Sequence, residues 1–449
     1  MALTIVQTVQ RIKADVAHFL QPATILELCR RLEHTWRERV LDPATTVQVF
    51  LLQVLHGNTA CSALPRLTGL VFSAAAYCQA RALLPLQLFE SLLHQVCATL
   101  QTTVNAGERW RGHRTWLVDG SGFSMPDTAP LQAHFGQPSG QKPGCGFPVA
   151  HLLALFHAGT GLLLQVVAAP LCTHDLAKAA VMHAAMAAGD LLIADRGFSS
   201  YAHLALLLQR KMHAVFRMHQ KQIVDFRPGR RHVSGTGRGT KGKPRSRWIR
   251  RLGCRDQVVE YFKATLKPTW MTDAAYAALP ASVEVRELRY QIRQRGLRTK
   301  TVTLVTTLLD PVRYPAEALA ELYLKRWHVE LNFRHLKITM GMDVLHCKTV
   351  AGVTKELYMF AIAYNLVRLV MLEAAQRQEV PLDRISFIDA LRWLCHADPD
   401  TPLPNLVINP HRPFRVEPRV IKRRMKEYPL MTKPRAELRK TLLNSGNAA

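Results

Sequence analysis

Four polar side chains in the last third of the chain keep a spacing suited to chemistry. Tyr323, Arg326, Glu330 and Lys337 stand at offsets of 3, 7 and 14 within the stretch from Glu317 to Val344. On a single α-helix, at about 100° per residue, they fall near 0°, 300°, 340° and 320°, a stripe about 60° wide and about 21 Å long. Leu322, Val329, Phe333, Leu336 and Met340 line one edge of that stripe, and Trp327, Leu331 and Ile338 line the other. A solvated charged face is not normally bordered by large apolar residues on both edges, so the pattern predicts a polar seam on a buried helix. One carboxylate among two cations and a phenol suits a metal ion held beside a phosphodiester backbone. The competing reading is a solvated helix face with weak ion pairs.

Such a seam needs partners from other elements, and two aspartates are placed to supply them. The apolar run in TWLVDGSGFSM ends in Asp119, followed by Gly120 and Ser121, and LLIAD ends in Asp195. A carboxylate at the end of a buried strand can ligate a metal; an aspartate capping a turn is the plainer alternative. Around these two, the pattern predicts strands at Val149–Phe156, Leu162–Ala169 and Ala214–Met218, and helices at Asp175–Ala188 (with Thr173 or Asp175 near its cap) and Tyr201–Arg210. Three hairpin strands, helix, strand, helix, strand is the element order of a ribonuclease-H-like core, in which the first and fourth strands lie side by side. Asp119 and Asp195 would then be neighbours.

The pattern Tyr-x2-Arg-x3-Glu-x6-Lys resembles the signature of bacterial insertion-sequence transposases of the DDE type, in the family numbered four. Asp119-Gly120-Ser121 and Asp195-Arg196-Gly197-Phe198 resemble the contexts of that family's two aspartates. The resemblance runs from about Arg114 to Lys337. It implies catalysis by Asp119, Asp195 and Glu330 as the carboxylates of a two-metal site, with Tyr323, Arg326 and Lys337 on DNA phosphates. Oxygen ligands without His or Cys favour Mg²⁺, two ions about 3.5–4 Å apart, with Mn²⁺ as a substitute. The resemblance also implies cut-and-paste transposition, a hairpin at the excised end, double-stranded DNA with terminal inverted repeats and target DNA as partners, a homodimer that synapses both ends, and a place on the nucleoid in a bacterial cytoplasm. A nuclease of the same fold, a DNA-binding regulator, and an enzyme using Tyr323 covalently are the alternatives.

Composition points the same way. The 449 residues carry a formal charge of +26, which calls for a polyanionic partner such as nucleic acid. No basic amphipathic anchor or signal-peptide pattern suggests a membrane. The nine cysteines are scattered without a CxxC pair, which argues against structural zinc.

The expected fold class is an α/β ribonuclease-H-like catalytic core with a β-rich insertion, plus helical N-terminal and C-terminal regions. Residues 1–105 form a helical DNA-binding domain, 106–218 and 301–375 the two parts of the core, 219–300 the insertion, and 376–449 a helical region with a basic tail. Within 1–105, amphipathic helices are expected at Ile5–Leu20, Ile25–Val40 and Thr45–Leu55. Ser62–Leu67, the turn Thr68-Gly69 and a helix from Ser73 to Leu83 resemble a helix-turn-helix, with Gln79 and Arg81 as candidate base readers. The insertion opens with Arg227–Arg251, ten Lys or Arg and no acid, which reads as a flexible basic loop. Inside it, Trp248 between Arg247 and Arg250 has the composition of a site that stacks on an unpaired base. Trp270 is the second candidate for that role. The tail from Arg419 to Lys440, nine Lys or Arg against two Glu, reads as a DNA-contacting or disordered arm.

Overall fold

Nine strands pair into one mixed sheet. They are β1 (Thr115–Ser124), β2 (Val149–His157), β3 (Leu163–Pro170), β4 (Leu191–Ala194), β5 (His213–Arg217), β6 (Arg247–Gly253), β7 (Asp256–Phe262), β8 (Ser282–Gln291) and β9 (Thr301–Thr306), in the order β3-β2-β1-β4-β5-β9-β8-β7-β6. The structure is a computed structural model that describes residues 2–106, 109–171, 175–233, 242–292, 301–398, 400–408 and 431–444. Thr173, much of the basic loop and most of the basic tail lie outside the described residues.

β1, β2 and β3 form an antiparallel meander, and β4 and β5 run parallel to β1. This is the arrangement of a ribonuclease-H-like core. Its register is set at the start of β4. The Asp190 carboxylate accepts both Arg114 Nε at 2.7 Å and Arg114 Nη2 at 2.8 Å, and also the Ala187 N–H at 2.8 Å. That buried, two-pronged pair fixes the foot of β4 against the foot of β1.

The insertion is not a separate β domain. β9 pairs antiparallel with both β5 and β8, so β6 to β8 extend the core sheet outward. Arg247–Gly253 is the edge strand, which corrects the expectation of a flexible loop through Arg251. The insertion is tied down by the buried Arg286, whose Nε meets Asp256 Oδ1 at 2.7 Å and whose Nη1 reaches the Tyr314 carbonyl at 2.6 Å.

The helix Val350–Arg377 runs through the centre of the molecule. By length and composition it could cross a membrane, but 83% of its most apolar window is buried in the core. Asn365 clamps β3 by accepting the Leu163 N–H at 2.9 Å and donating to the Leu163 carbonyl at 2.7 Å. Gly161, at φ +67°, lies against the Arg368 guanidinium, where a Cβ would come within 2.2 Å of a nitrogen. The turn thus requires glycine twice over.

The N-terminal helices pack on this same central helix and share its core. The first expected run is broken at Lys13, and the second ends at Arg31 rather than Val40. Pro43–Leu55 is capped by Asp42, which accepts the Thr45 N–H at 2.6 Å. The helix-turn-helix-like hairpin is present: Leu64–Thr68, a left-handed Gly69, and Ala74–Leu83 capped by Ser73. Arg81, however, points inward. It donates to Gln53 Oε1 at 3.0 Å and lies over the Phe50 ring, so it is a packing residue and not a base reader; Gln79 stays exposed.

Fully buried Glu356 joins the two parts. It accepts from Asn58 Nδ2 at 2.6 Å, from the His346 N–H at 2.9 Å and from the Cys347 N–H at 2.9 Å. Glu356→Gln removes the charge from these bonds and turns a donor toward at least one donor. We expect a loss of about 1–3 kcal/mol in urea denaturation.

Past Ala397 the described tail folds back on the core. Arg435, on the helix Arg435–Asn444, pairs with Asp127 and lies over the Phe147 ring at 3.9 Å.

Candidate functional site

The candidate site lies where β4 runs out. β1 pairs with β4 from Thr115↔Leu191 to Val118↔Ala194, and β4 with β5 up to Ala194↔Phe216. The next position on each strand puts Asp119, Asp195 and Arg217 in one row on one face. The sequence expectation had β1 ending at Asp119. The strand instead continues to Ser124, paired only with β2, so Asp119 marks the end of the β1–β4 ladder and not of the strand. Asp119 Oδ1 accepts the Gly120 N–H at 2.9 Å, and Asp195 caps a short helical turn by accepting the Arg196 N–H at 2.5 Å.

The helix above this row tightens in its middle. Ala316–Leu324 and Trp327–Arg334 are α-helical, Lys325 and Arg326 between them keep right-handed helical backbone with i→i−3 hydrogen bonds, and His335–Thr339 is a π-helical turn. The single-helix angles are therefore shifted by these two turns, but the stripe continues. Arg326, in the tightened turn, faces inward. Its Nη1 lies 3.6 Å from Asp119 Oδ2 and its Nη2 3.2 Å from Glu330 Oε1. Its guanidinium is 5.9 Å from the Tyr323 ring centroid. Leu322, Val329, Phe333, Leu336 and Met340 are buried as expected. Trp327, Leu331 and Ile338 are 41%, 50% and 67% exposed, so only one edge of the polar stripe is covered. Lys337 sits on the π-helical turn, a feature frequent at functional sites. Its Nζ donates to the Gly122 carbonyl at 2.6 Å and to Ser121 Oγ at 3.3 Å, which pins the turn to β1.

Burial pushes the Asp119 carboxyl up to about 6, with Asp195 and Glu330 adding repulsion, and outweighs the opposing hydrogen bond from Gly120 and the charge of Arg326. The Tyr323 phenol is likewise pushed up by burial, and its hydroxyl is buried without a hydrogen-bond partner. It is not an exposed nucleophile.

The donor set fits a divalent cation in kind: carboxylate oxygens from three elements, two of them in adjacent register, gathered around one guanidinium cation. As the side chains stand, no group of three carboxylate, histidine or cysteine side chains among the described residues converges closely enough to hold one ion. Arg326 lies between Asp119 and Glu330 instead.

The raised Asp119 carboxyl has a measurable consequence. Its folded value lies above the ordinary 3.8, so the folded protein holds the proton more tightly. Stability then falls as pH rises from about 4 to about 6, and the full cost is present above that window. Asp119→Asn lacks this term. We expect it to be more stable than wild type by about 1–3 kcal/mol at pH 7.5 in EDTA, with no advantage at pH 4. Thermal melts at the two pH values check the sign.

Trp248, Arg247 and Arg250 do not join this site. They lie on β6, the far edge strand, six strands from β1, or roughly 29 Å at about 4.8 Å per strand. Arg247 pairs with Glu260 at 2.5 Å. Trp270 packs against the core with its ring 5.2 Å from His203. The aromatic beside the site is Trp327, with the Arg326 guanidinium 5.2 Å from its ring centroid. Arg217 has a sequence signal that was open to reading: it ends an apolar strand just as Asp195 follows one.

Residues 110–366, more than half of the chain, match the family model described as the transposase DDE domain. The chain is 25% identical over 349 residues to the transposase InsG for insertion sequence element IS4 of Escherichia coli strain K12, covering 72% of this chain and 71% of that one. It is 22% identical over 194 residues to the putative transposase InsZ of the same strain, 42% of this chain and 59% of that one. A cryo-EM structure of the piggyBac transposase synaptic complex with hairpin DNA aligns with a TM-score of 0.42 and 11% identity, over 88% of this chain and 77% of that one. The chain belongs to the transposases with a DDE domain.

Proposed function

We propose that this transposase moves an insertion sequence by cut-and-paste, with Asp119, Asp195 and Glu330 as the ligands of two divalent ions, Mg²⁺ with Mn²⁺ as a substitute. The observation that carries this reading is the shared register of Asp119 and Asp195 under an Arg326 that reaches both Asp119 and Glu330. When bound, the ions activate the attacking water or DNA 3′-hydroxyl and stabilise the leaving oxygen.

The chain's own residues do the rest. Arg326 is held by two carboxylates, Asp119 and Glu330, and is the cation placed between the proposed ligands. A phosphate drawing Arg326 away releases Asp119 and Glu330 together. The fork of its guanidinium suits that exchange, since it binds carboxylate and phosphate with the same geometry. Lys337 holds the π-helical turn on β1 and so fixes the distance between Glu330 and Asp119. Tyr323 donates its buried hydroxyl to a phosphate oxygen and forms no covalent bond to DNA.

The partners in this reading are double-stranded DNA carrying the element's terminal repeats, then target DNA, in a homodimer that brings two ends together on the nucleoid of the cytoplasm. The basic residues of β6 contact DNA away from the broken bond. Trp248→Ala is accordingly expected to leave hairpin formation at a cleaved end unchanged in the folded protein, as followed on denaturing gels. Slowed hairpin formation after normal nicking would return Trp248 to the mechanism.

The test is to incubate the protein with duplexes carrying its element ends, with and without Mg²⁺. Metal-dependent breaks at the element boundary, leaving free 3′-hydroxyls, support the reading. Breaks that need no metal, or product linked to protein, defeat it.

A further inference from the structure

We propose that Arg217, Tyr290 and Tyr323 form a second phosphodiester pocket, on the β5 side of Asp195, that holds the phosphate next to the one being broken. This rests on the proposed function and adds to Tyr323 two residues, Arg217 and Tyr290, that the motif does not contain.

The sheet register supplies the geometry. Ala194↔Phe216 places Arg217 in the row of Asp195, one strand over, about 4.8 Å away along the sheet. That row continues through Leu304 on β9 to Leu288 on β8. Side chains alternate faces along a strand, so Tyr290, two positions after Leu288, lies on the same face as Arg217. The β9 residues between them on that face, Leu304 and Val302, are buried and apolar. Arg217 and Tyr290 therefore flank an apolar saddle, with Tyr323 on the helix packed at the same end.

Among the described residues, all three polar groups lack partners. The Tyr323 and Tyr290 hydroxyls are both buried without a hydrogen bond, and Tyr323 is 5% exposed. Among the described residues, Arg217 makes no side-chain hydrogen bond or ion pair. Burial raises both phenols, and the Arg217 charge acts on each of them in the opposite sense, as it must if the three are close. Unpaired buried donors are costly, and functional sites are where native proteins retain them. Two neutral hydroxyls, each with one proton to donate, and one guanidinium make a donor-rich set, which suits the two unesterified oxygens of a phosphodiester. The negative Asp195 beside it keeps the row from accumulating excess positive charge. Arg217 stands one strand beyond Asp195 and two beyond Asp119, about 5–10 Å along the sheet. A DNA strand laid along the row would set one phosphate at the aspartates and a neighbouring one at Arg217.

The experiment is a coupling cycle. Element-end duplexes carry a single neutral methylphosphonate, placed in turn at each phosphate flanking the cleaved bond. Affinity is measured for wild type, Arg217→Gln and Tyr290→Phe without divalent ions. For wild type, one position adjacent to the cleaved bond is expected to lose on the order of 10- to 100-fold in affinity. In Arg217→Gln the same replacement should cost little more, because the pair is already broken. Tyr290→Phe keeps its ring and should show part of that coupling even if Arg217→Gln proves poorly folded. Additive losses at every position, for both variants, overturn the pocket. Wild-type protein that binds and cleaves its ends normally while showing only additive losses defeats the pocket alone. Wild-type protein that neither prefers its ends nor cleaves them with Mg²⁺ defeats the underlying reading.

Discussion

Asp119→Asn, Asp195→Asn and Glu330→Gln are each expected to abolish DNA cleavage while leaving element-end binding within roughly threefold of wild type. Each substitution keeps the size of the side chain and removes one ligand oxygen's charge. A metal site contributes several kcal/mol to the transition state, so a lost ligand should slow cleavage on the order of 10³-fold or more. Binding survives because it rests on cations elsewhere on a chain with net charge +26, and a lost carboxylate lowers repulsion toward phosphate. Single-turnover cleavage with prebound DNA separates the two effects. A variant that cleaves at near wild-type rate in Mg²⁺ is not altered at a ligand.

Arg326→Ala should lower cleavage on the order of 10²- to 10³-fold at saturating DNA, through charge stabilisation at the reacting phosphate. It has a second signature. Asp119 then keeps its burial and its neighbours Asp195 and Glu330 but loses the attraction of the Arg326 charge, so its carboxyl rises further above about 6. The acidic limb of the pH–rate profile should therefore move to higher pH. Arg326→Lys should recover only part of the rate, since a point charge cannot span Asp119 and Glu330 as the fork does. Equal loss of affinity for element ends and random duplex, with normal cleavage at saturation, would make Arg326 a general DNA contact instead.

The parts of this site that were legible in the sequence are those fixed locally. Asp119 and Asp195 interrupt strongly apolar runs, and a short buried run such as Leu191–Ala194 has few ways to lie other than as a central strand. The spacing of Tyr323, Arg326 and Glu330 was readable because it matches one helical face over two turns. What failed depends on distant partners. The helix tightens to i→i−3 hydrogen bonds around Arg326 although nothing in ELYLKRWHVE disfavours a regular α-helix; the tightened turn is accompanied by the ion pair with Asp119, some two hundred residues upstream. Arg81 looked like a base reader until Gln53 and Phe50, from another helix, were found to hold it. The place of Trp248 depended on how β6 to β9 join the sheet, and local composition carries no record of strand order.

The central claim, that the three carboxylates gather divalent ions on a DNA end, is tested most directly by a crystal structure of the protein with its cleaved element end and Mn²⁺, using anomalous scattering to place the metal. The account predicts Mn²⁺ ligated by Asp119, Asp195 and Glu330, with Arg326 moved from Glu330 to a phosphate. Mn²⁺ bound elsewhere, or Glu330 still paired with Arg326 while metal and DNA occupy the site, would contradict it.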